Sequence, residues 1–403
     1  MSKTTHAVTL VGMDAHSEKI ALCVTLWRHG SDPTVVENIT TTLDAMEATY
    51  RRHVPAGSLT VLEASTNAFA IAGRLTSAGF GVKVLVSDTL AGMSRNDRIN
   101  DRIDAQNLAT AYARGGTREV FVPTDVFAEW RDIWFGYRNA VKDSVKWSNR
   151  IWGFCSGHGF KLPKAQFKKK ETEVRTQIEA FGWTEPETFH IDMMLKEYAH
   201  ACEVRRAYQL HIERIVAGNA EMTKVMQILG IRFIVAFTLV AFIEDVRRFP
   251  AAKKLVSYVG LNPTVCTSGK DAGTRRMSHY GRRDLKALMV EAAQCALRKG
   301  GSDMHKWARR KAAEKKHTNV VVCALARKMV CYVWHILMGH PTPNAEPEVS
   351  FKRKLAKLAC ALGKKEMANL GYKTTGEYVS SVCERLYPPQ APQELRTSIL
   401  ASA

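Results

Sequence analysis

The chain of 403 residues is 46% apolar and 24% charged, ordinary values for a folded protein and length enough for two or three domains with full-sized cores. Lys and Arg number 58 against 39 Asp and Glu, a net charge of +19, which points to a polyphosphate surface as partner. The longest strongly apolar run, Phe233 to Ile243, falls short of the ~20 residues of a membrane span, and Asp14 interrupts the only apolar run near the start, so neither a membrane protein nor a secreted precursor is expected.

Residues 1–125 hold 12 bases and 13 acids, whereas 126–403 hold 46 and 26, so the positive charge belongs to the rear of the chain. In front, Ala7 to Met13, Lys19 to Leu26 and Thr34 to Thr40 read as strands, with the polar RHGSDP before the third as a hairpin turn. Thr42 to His53 reads as a helix, Leu59 to Leu62 as a buried strand, Ala68 to Ala78 as a helix, Val82 to Val86 as a strand, 101–113 as a helix and Glu119 to Val122 as a last strand. Three antiparallel strands followed by strand–helix alternation predict a mixed sheet covered by helices, the pattern of an α/β RNase H-like domain over 1–125.

From 126 to 225 the pattern turns helical. Trp130, Trp134, Tyr137, Val141, Ser148, Trp152 and Cys155 keep three-and-four spacing up to SGHG at 156–159. On another face Arg138, Lys142, Lys146 and Arg150 recur every four residues, a stripe that either lies along a phosphate backbone or is a solvated surface. Trp130, Trp134, Trp147 and Trp152 either fill a core or stack on unpaired RNA bases. After a basic linker from Lys164 to Lys170, Leu195, Tyr198, Cys202, Tyr208, Ile212, Ile215 and Met222 keep a near-heptad seam with Arg205 and Asn219 inside it. That predicts a helical hairpin or short coiled coil able to dimerise. The segment 226–340 reads as two helical pieces about a turn at Gly230, then LVSYVGL, a basic Gly-punctuated loop NPTVCTSGKDAGTRRMSHYGRR, and mainly α structure with helices over Leu285 to Leu297 and Asn319 to Leu337. The tail 341–403 carries a Lys-rich helix (FKRKLAKLACALGKK), and Pro388 to Pro392 marks the end of compact structure. Nine cysteines without a CxxC pair or a Cys/His comb argue against a zinc site or a disulfide framework and for reduced thiols in a bacterial-type cytoplasm, near the nucleoid.

Four acids stand out by position. Asp14 follows one strand and Glu63 closes another (VLEAS), so both carboxylates emerge at strand ends; Asp101 and Asp104 lie three apart in NDRIDAQNLA, on one helix face. Clustered like charges cost energy unless a cation neutralises them. Hard oxygen donors suit Mg²⁺ or Mn²⁺, which activates water or a hydroxyl and stabilises charge on a phosphoryl group. Taken singly each acid reads as a turn, cap or surface residue; the four in strand–strand–helix order favour a metal site. His16 beside Asp14 reads as a surface histidine.

GMDAHSEKIALCV, VLEAS and NDRIDAQNLA, in this order and spacing, resemble the D-E-D-D motif of insertion-sequence-110-family transposases, whose front domain is RuvC-like. In the rear, LGI at 229–231, Phe249, YVGLNP, TSG, GTRRMSHYGRRDLKALMVEAA and ALARKMV follow the order of the same family's second domain. The resemblance covers roughly 7–125 and 225–340. It implies an RNA-guided DNA recombinase in which a structured bridge RNA pairs with donor and target DNA, metal binding by Asp14, Glu63, Asp101 and Asp104, and a serine nucleophile at Ser268 of TSG. It further implies that acids and serine meet between protomers of a dimer or within a tetramer. Ser257 and Ser278 are rivals by proximity to the same loop, and only the resemblance raises Ser268 above them. Lys270, Arg275, Arg276, Arg282 and Arg283 surround that serine in sequence and are expected on the scissile phosphate and its neighbours. Ile99-Asn100 stands where a Lys-Thr pair is common in the family, and Arg232 where a helix-hairpin-helix would have its second Gly. Two other readings remain open: a RuvC-like resolvase or invertase that uses metal-activated water alone, and a non-catalytic nucleic-acid-binding scaffold.

Overall fold

The alternating apolar runs at the start of the chain pair into one sheet. β1 (Thr9–Ala15), β2 (Lys19–Leu26) and β3 (Thr34–Thr40) form an antiparallel meander. After α1 (Leu43–His53), β4 (Leu59–Glu63) returns parallel to β1, and α2 (Ala68–Ser77) leads to β5 (Gly81–Leu85), parallel to β4. α3 (Asp101–Arg114) precedes the two-residue β6 (Glu119–Val120), antiparallel to β5. The order across the sheet is β3-β2-β1-β4-β5-β6, the mixed sheet with covering helices that the pattern predicts. These features come from a computed structural model that describes residues 9–15, 19–26, 34–40, 43–86, 101–115, 117–164, 167, 171–263, 267–268, 271–272, 277–278, 280–299, 302–314, 317–340 and 348–386.

Period-two alternation gives the central strands two buried faces. Val11, Met13, Ile20, Leu62 and Val84 point to one side, where Met46 and Tyr50 of α1 and Ile71 and Leu75 of α2 close the core. Within it the Tyr50 hydroxyl hydrogen-bonds the Thr60 hydroxyl, which satisfies two buried polar groups. Val61 and Leu85 point to the other side and meet Leu108 of α3. This front unit spans Met1–Ala128, and Glu129–Ala403 forms a second.

The second unit is helical. α4 (Asp125–Gly157) ends at SGHG as expected and pairs antiparallel with α6 (Glu185–Gly218); α5 (Glu171–Glu179) lies between them in sequence. The face α4 buries runs through Arg131, Trp134, Ala140, Ser144, Ile151 and Cys155, so Trp134 belongs to the core while Trp130, Trp147 and Trp152 are half-buried at its edges. Arg205, inside the expected seam, donates to Ser144 Oγ across the pair at 3.2 Å. Asn219 does not continue the seam. It is the cap between α6 and α7 (Ala220–Val225), its side chain accepting from Met222 N at 2.9 Å, as an amide does at a helix start.

The turn at Gly230 (φ +89) leads into α8 (Phe233–Ile243). A Cβ at Gly230 would overlap the Ala292 carbonyl oxygen of α10, so the turn packs directly on that helix. Arg232, at the place of an expected second Gly, is the N-cap of α8 with φ −116, extended backbone that any residue adopts. A single 3-10 turn (Val246–Arg248), α9 (Ala252–Val259) and a small hairpin, β7 (Thr267–Ser268) with β8 (Asp271–Ala272), precede α10 (Arg283–Lys299), α11 (Asp303–Ala313) and α12 (Thr318–Leu337). α13 (Glu348–Asn369), kinked at Gly363, and α14 (Thr375–Leu386) complete the described chain; Pro388 to Pro392 and most of the Lys164 to Lys170 linker lie outside the described residues. α12 alters one expectation. At 20 residues with mean hydropathy 1.7 it is, by length and composition, long and apolar enough to cross a bilayer, which the shorter run Phe233 to Ile243 is not. Here Val321, Leu325, Met329 and Val333 are buried, and the helix packs on α9, α10 and α11 as a core element.

Candidate active site and nucleic-acid surface

Strand register brings two of the four acids together. β1 and β4 pair Gly12 with Val61 and Met13 with Leu62, so one step on Asp14 and Glu63 stand side by side at the carboxyl ends of parallel neighbours. Alternation then fixes the face: Met13 and Leu62 enter the core beneath α1 and α2, and Val61 packs on α3. Gly12, Asp14, Val61 and Glu63 therefore share the α3 side. Gly12 is the reason α3 comes so close. A Cβ there would overlap the Ala105 carbonyl oxygen, and only glycine leaves room for a helix backbone at that point. Asp104 immediately precedes Ala105, and Asp101 opens the helix, so the first turn of α3 stands over the β1 and β4 ends. Asp14, Glu63 and Asp104 are half-buried; the Asp101 side chain lies outside the described residues. Among the described residues no three His, Cys, Asp or Glu side chains stand near enough to hold a metal ion. The acids nonetheless offer oxygen donors only, which suits a hard divalent cation rather than a soft one.

In the second unit Ser268 sits in the β7–β8 hairpin, paired with Asp271. Its side chain lies outside the described residues, as do Lys270, Arg275 and Arg276. The base of the loop is held by bonds among described residues. Pro263 bridges to Met277, Ser278 N donates to the Asn262 carbonyl at 2.8 Å, and Arg282 N donates to the Tyr258 carbonyl at 2.9 Å. Below these bonds Gly260 (φ +81) and Gly281 (φ +94) cross; a Cβ on Gly281 would stand 2.6 Å from the Gly260 backbone and 2.8 Å from the Ser257 carbonyl oxygen. Both ends of the Ser268 loop are thus pinned at one point. Of the rival serines, Ser278 accepts from Tyr280 N at 3.1 Å inside the loop base, and Ser257 is exposed on α9.

The cations near this loop divide. Arg283 is exposed at the start of α10. Arg282 is held within the protein: its guanidinium lies 3.9 Å from the centroid of Phe242 and pairs with Asp284 at 3.2 and 2.8 Å. Burial pushes the Asp284 carboxyl up, but hydrogen bonds and charge from Arg282, with the Leu285 amide, hold it below the usual carboxylate range. The same Phe242 ring lies 5.2 Å from Arg131, which donates to the Ala241 carbonyl at 2.9 Å and faces Glu244 at 3.4 Å. Arg248 donates to the Ile243 and Phe242 carbonyls at 2.9 and 2.8 Å, and the Tyr258 hydroxyl to Phe242 at 3.2 Å. Two guanidiniums and a phenol so satisfy the last carbonyls of α8, the negative end of its dipole, and build the floor on which the loop base rests. None of Gly12, Gly260, Gly281, Arg131 or Arg248 is singled out by the sequence; the glycine pair was visible only as YVGL and YGRR, with nothing to say that the two segments meet.

On α4 Lys142, Lys146 and Arg150 are exposed and Arg138 half-buried, so the four-residue stripe is one accessible edge of the helix. Lys146 and Arg150 lie 5.9 and 4.6 Å from the Trp147 ring centroid, within cation–π range.

Residues 222–309, which hold the Gly230 turn, α8, α9, the Ser268 hairpin and α10, match the family described as "Transposase IS116/IS110/IS902 family". A transposase for insertion sequence element IS1111A from Coxiella burnetii (strain RSA 493 / Nine Mile phase I) is 24% identical over 249 residues, covering 60% of this chain and 68% of its own. A transposase for insertion sequence element IS1328 from Yersinia enterocolitica is 21% identical over 288 residues, 68% of this chain and 82% of its own. A probable family 20 transposase from Pseudomonas aeruginosa is 23% identical over 290 residues, 69% and 83% of the two chains. With this domain and these relatives the protein is a transposase. Its matched domain and these relatives are similar to transposases of the IS110/IS116 insertion-sequence group.

Proposed function

We propose that this transposase is an RNA-guided DNA recombinase in which Ser268 is the nucleophile and an RNase H-like (RuvC-like) front unit supplies a divalent-cation site. The register that sets Asp14 beside Glu63 on the face against which α3 packs at Gly12 carries the reading: two carboxylates share one sheet face, and the helix packed on that face carries the other two in its first turn, a donor set suited to phosphoryl transfer. Asp14, Glu63, Asp101 and Asp104 would hold Mg²⁺, or Mn²⁺, which when bound lowers the pKa of an attacking hydroxyl and neutralises charge on the phosphate. The chain's own contribution is placement. The pinned loop presents Ser268 at a hairpin, and Arg283, with Lys270, Arg275 and Arg276, holds phosphates beside it.

The Ser268 oxygen attacks phosphorus and loses its proton to solvent; the bond from phosphorus to the departing sugar oxygen breaks, and that oxygen takes up a proton. The phosphodiester energy is kept in the phosphoserine ester, so a second sugar hydroxyl can attack it in reverse and strands are exchanged without an external energy source. Acids and serine must meet on one phosphate, which calls for a dimer or tetramer assembled on DNA. A structured bridge RNA, pairing with donor and target, supplies the sequence choice that no element of the protein spells out.

The test is trapping of a covalent protein–DNA adduct in the presence of Mg²⁺ with the RNA encoded beside the gene. The adduct forms with wild type, disappears in Ser268→Ala and falls by at least about a hundredfold in Asp14→Asn, a typical loss for one electrostatic stabiliser of phosphoryl transfer. Strand joining at the wild-type rate by Ser268→Ala ends the serine assignment, and free 5′-phosphate ends without adduct favour hydrolysis by water.

A further inference from the structure

Between α4 and α6 an open groove of about 500 Å³ is lined by Trp147, Arg150, Phe154, His190, Met194 and Glu197 among others. Its walls are mostly apolar, with an aromatic wall continued by Phe154, whose ring centroid lies 5.0 Å from His190. Such a lining with few polar groups is the chemistry of a small planar ligand site. Two of the polar groups stand ready for one. Among the described residues no hydrogen bond or ion pair engages Glu197, and Arg150, its opposite in charge on the facing helix, does not pair with it although both line the groove. Arg150 instead lies 4.6 Å from the Trp147 centroid, a stack of guanidinium on indole to which a further flat ring can add.

We propose that this groove receives an unpaired guanine of single-stranded RNA, with the neighbouring phosphates on the α4 stripe. The inference deepens the RNA partner in the proposed function. The occupant follows from charge and from hydrogen-bond type. Lys142, Lys146 and Arg150 are exposed one helical turn apart and reach the groove at Arg150, so a strand tracking the stripe delivers a base there. A carboxylate accepts only. The Watson–Crick edge of guanine offers it two adjacent donors, the ring N–H and the exocyclic amine, whereas adenine, cytosine and uracil each place an acceptor beside their donor. Glu197 therefore selects guanine, Trp147 and Arg150 supply the stacking face, and splayed single-stranded bases are the ones that RNA loops and bulges provide.

The experiment measures fluorescence anisotropy of labelled RNA decamers, uridines with one central guanosine or adenosine, on the full chain. The guanosine strand is expected to bind about tenfold tighter, the worth of one well-stacked, hydrogen-bonded base. Glu197→Gln, at an exposed position, keeps the fold, weakens the guanosine strand to within about twofold of the adenosine strand and leaves the adenosine strand's affinity unchanged; Trp147→Ala weakens the guanosine strand about tenfold and Trp147→Phe restores most of it. Equal binding of both strands by wild type, or a guanine preference untouched by Glu197→Gln, overturns the proposal and leaves the recombinase reading standing. Failure of every RNA strand to bind overturns it together with the RNA partner, and a deoxyguanosine strand that binds as tightly as the RNA overturns the assignment to RNA.

Discussion

A hydrogen atom in place of a side chain decides where the front acids stand. Asp14 and Glu63 would share an edge in any sheet with this register, but they meet α3 only because position 12 has no Cβ to hold the Ala105 carbonyl away. Gly12→Ala must push α3 outward or bend β1, and overpacking of this kind costs about 1–3 kcal/mol, more where backbone rather than a flexible side chain is the obstacle. We expect the urea midpoint of the protein to fall, and the activity that depends on Asp14 to fall with it, whereas Gly73→Ala, in α2 with open space around it, changes neither. A fully active and stable Gly12→Ala would mean that the helix does not bear on the site. The strand-end positions of Asp14 and Glu63 are legible in the sequence because apolar runs lead into both; the role of Gly12 is not, since its meaning is a contact with residue 105 that no local pattern encodes. The same holds for Arg282. Its run of basic neighbours reads as a phosphate surface, yet a buried Asp two residues on and an aromatic ring forty residues earlier engage its guanidinium inside the protein.

Elements were read well where one long apolar face repeats and poorly where a helix buries little. α4, with aromatic residues at three-and-four spacing, was plain. α5 buries only Val174 and Ile178, α11 only Met304 and Ala308, and α14 three residues; their helical form depends on neighbours, so the sequence alone left them unmarked. α13 was visible as a Lys-rich amphipathic run, but which lysine mattered was not. Lys354 is 9% exposed, and its ammonium donates to the Met226 and Ile228 carbonyls at 2.8 and 2.9 Å. Those carbonyls close α7 and enter the Gly230 turn, so one amine ties α13 to the turn beneath α8. Lys354→Met keeps the length and apolar stem of the side chain and removes the donor, which takes the lysine bond from the Met226 carbonyl while the Ile228 carbonyl keeps the Ile231 amide at 3.0 Å. The loss should be about 1–3 kcal/mol, the cost of one buried acceptor left unpaired, measured as a lower chemical-denaturation midpoint. Lys352→Met, two residues away and in a solvent-screened surface pair with Glu348, should leave the midpoint nearly unchanged. Equal effects of the two would show that the tie at Lys354 carries no stability.

For the whole molecule, charge and fold divide at the same place. The front unit, Met1–Ala128, carries a net charge of −1 and the second, Glu129–Ala403, carries +20. Phosphate binding by counterion release scales with the number of cations brought to the backbone, so the front unit, with 12 bases against 13 acids, is expected to hold nucleic acid weakly at physiological salt. In the proposed reaction, affinity is expected from the second unit, which would bring DNA to the acids of the first. Separate expression of 1–128 and 129–403 tests this. The rear fragment should retain DNA with log affinity falling steeply against log salt, by about 0.9 per phosphate contacted on a duplex, and the full chain should show nearly the same slope. The front fragment should elute without retention from a DNA column at 150 mM salt, and addition of Mg²⁺ should not supply more than weak binding. Retention of 1–128 comparable to that of 129–403 would place a nucleic-acid grip beside Asp14 and Glu63 themselves, and the division of labour between a holding unit and a cutting unit would then be wrong.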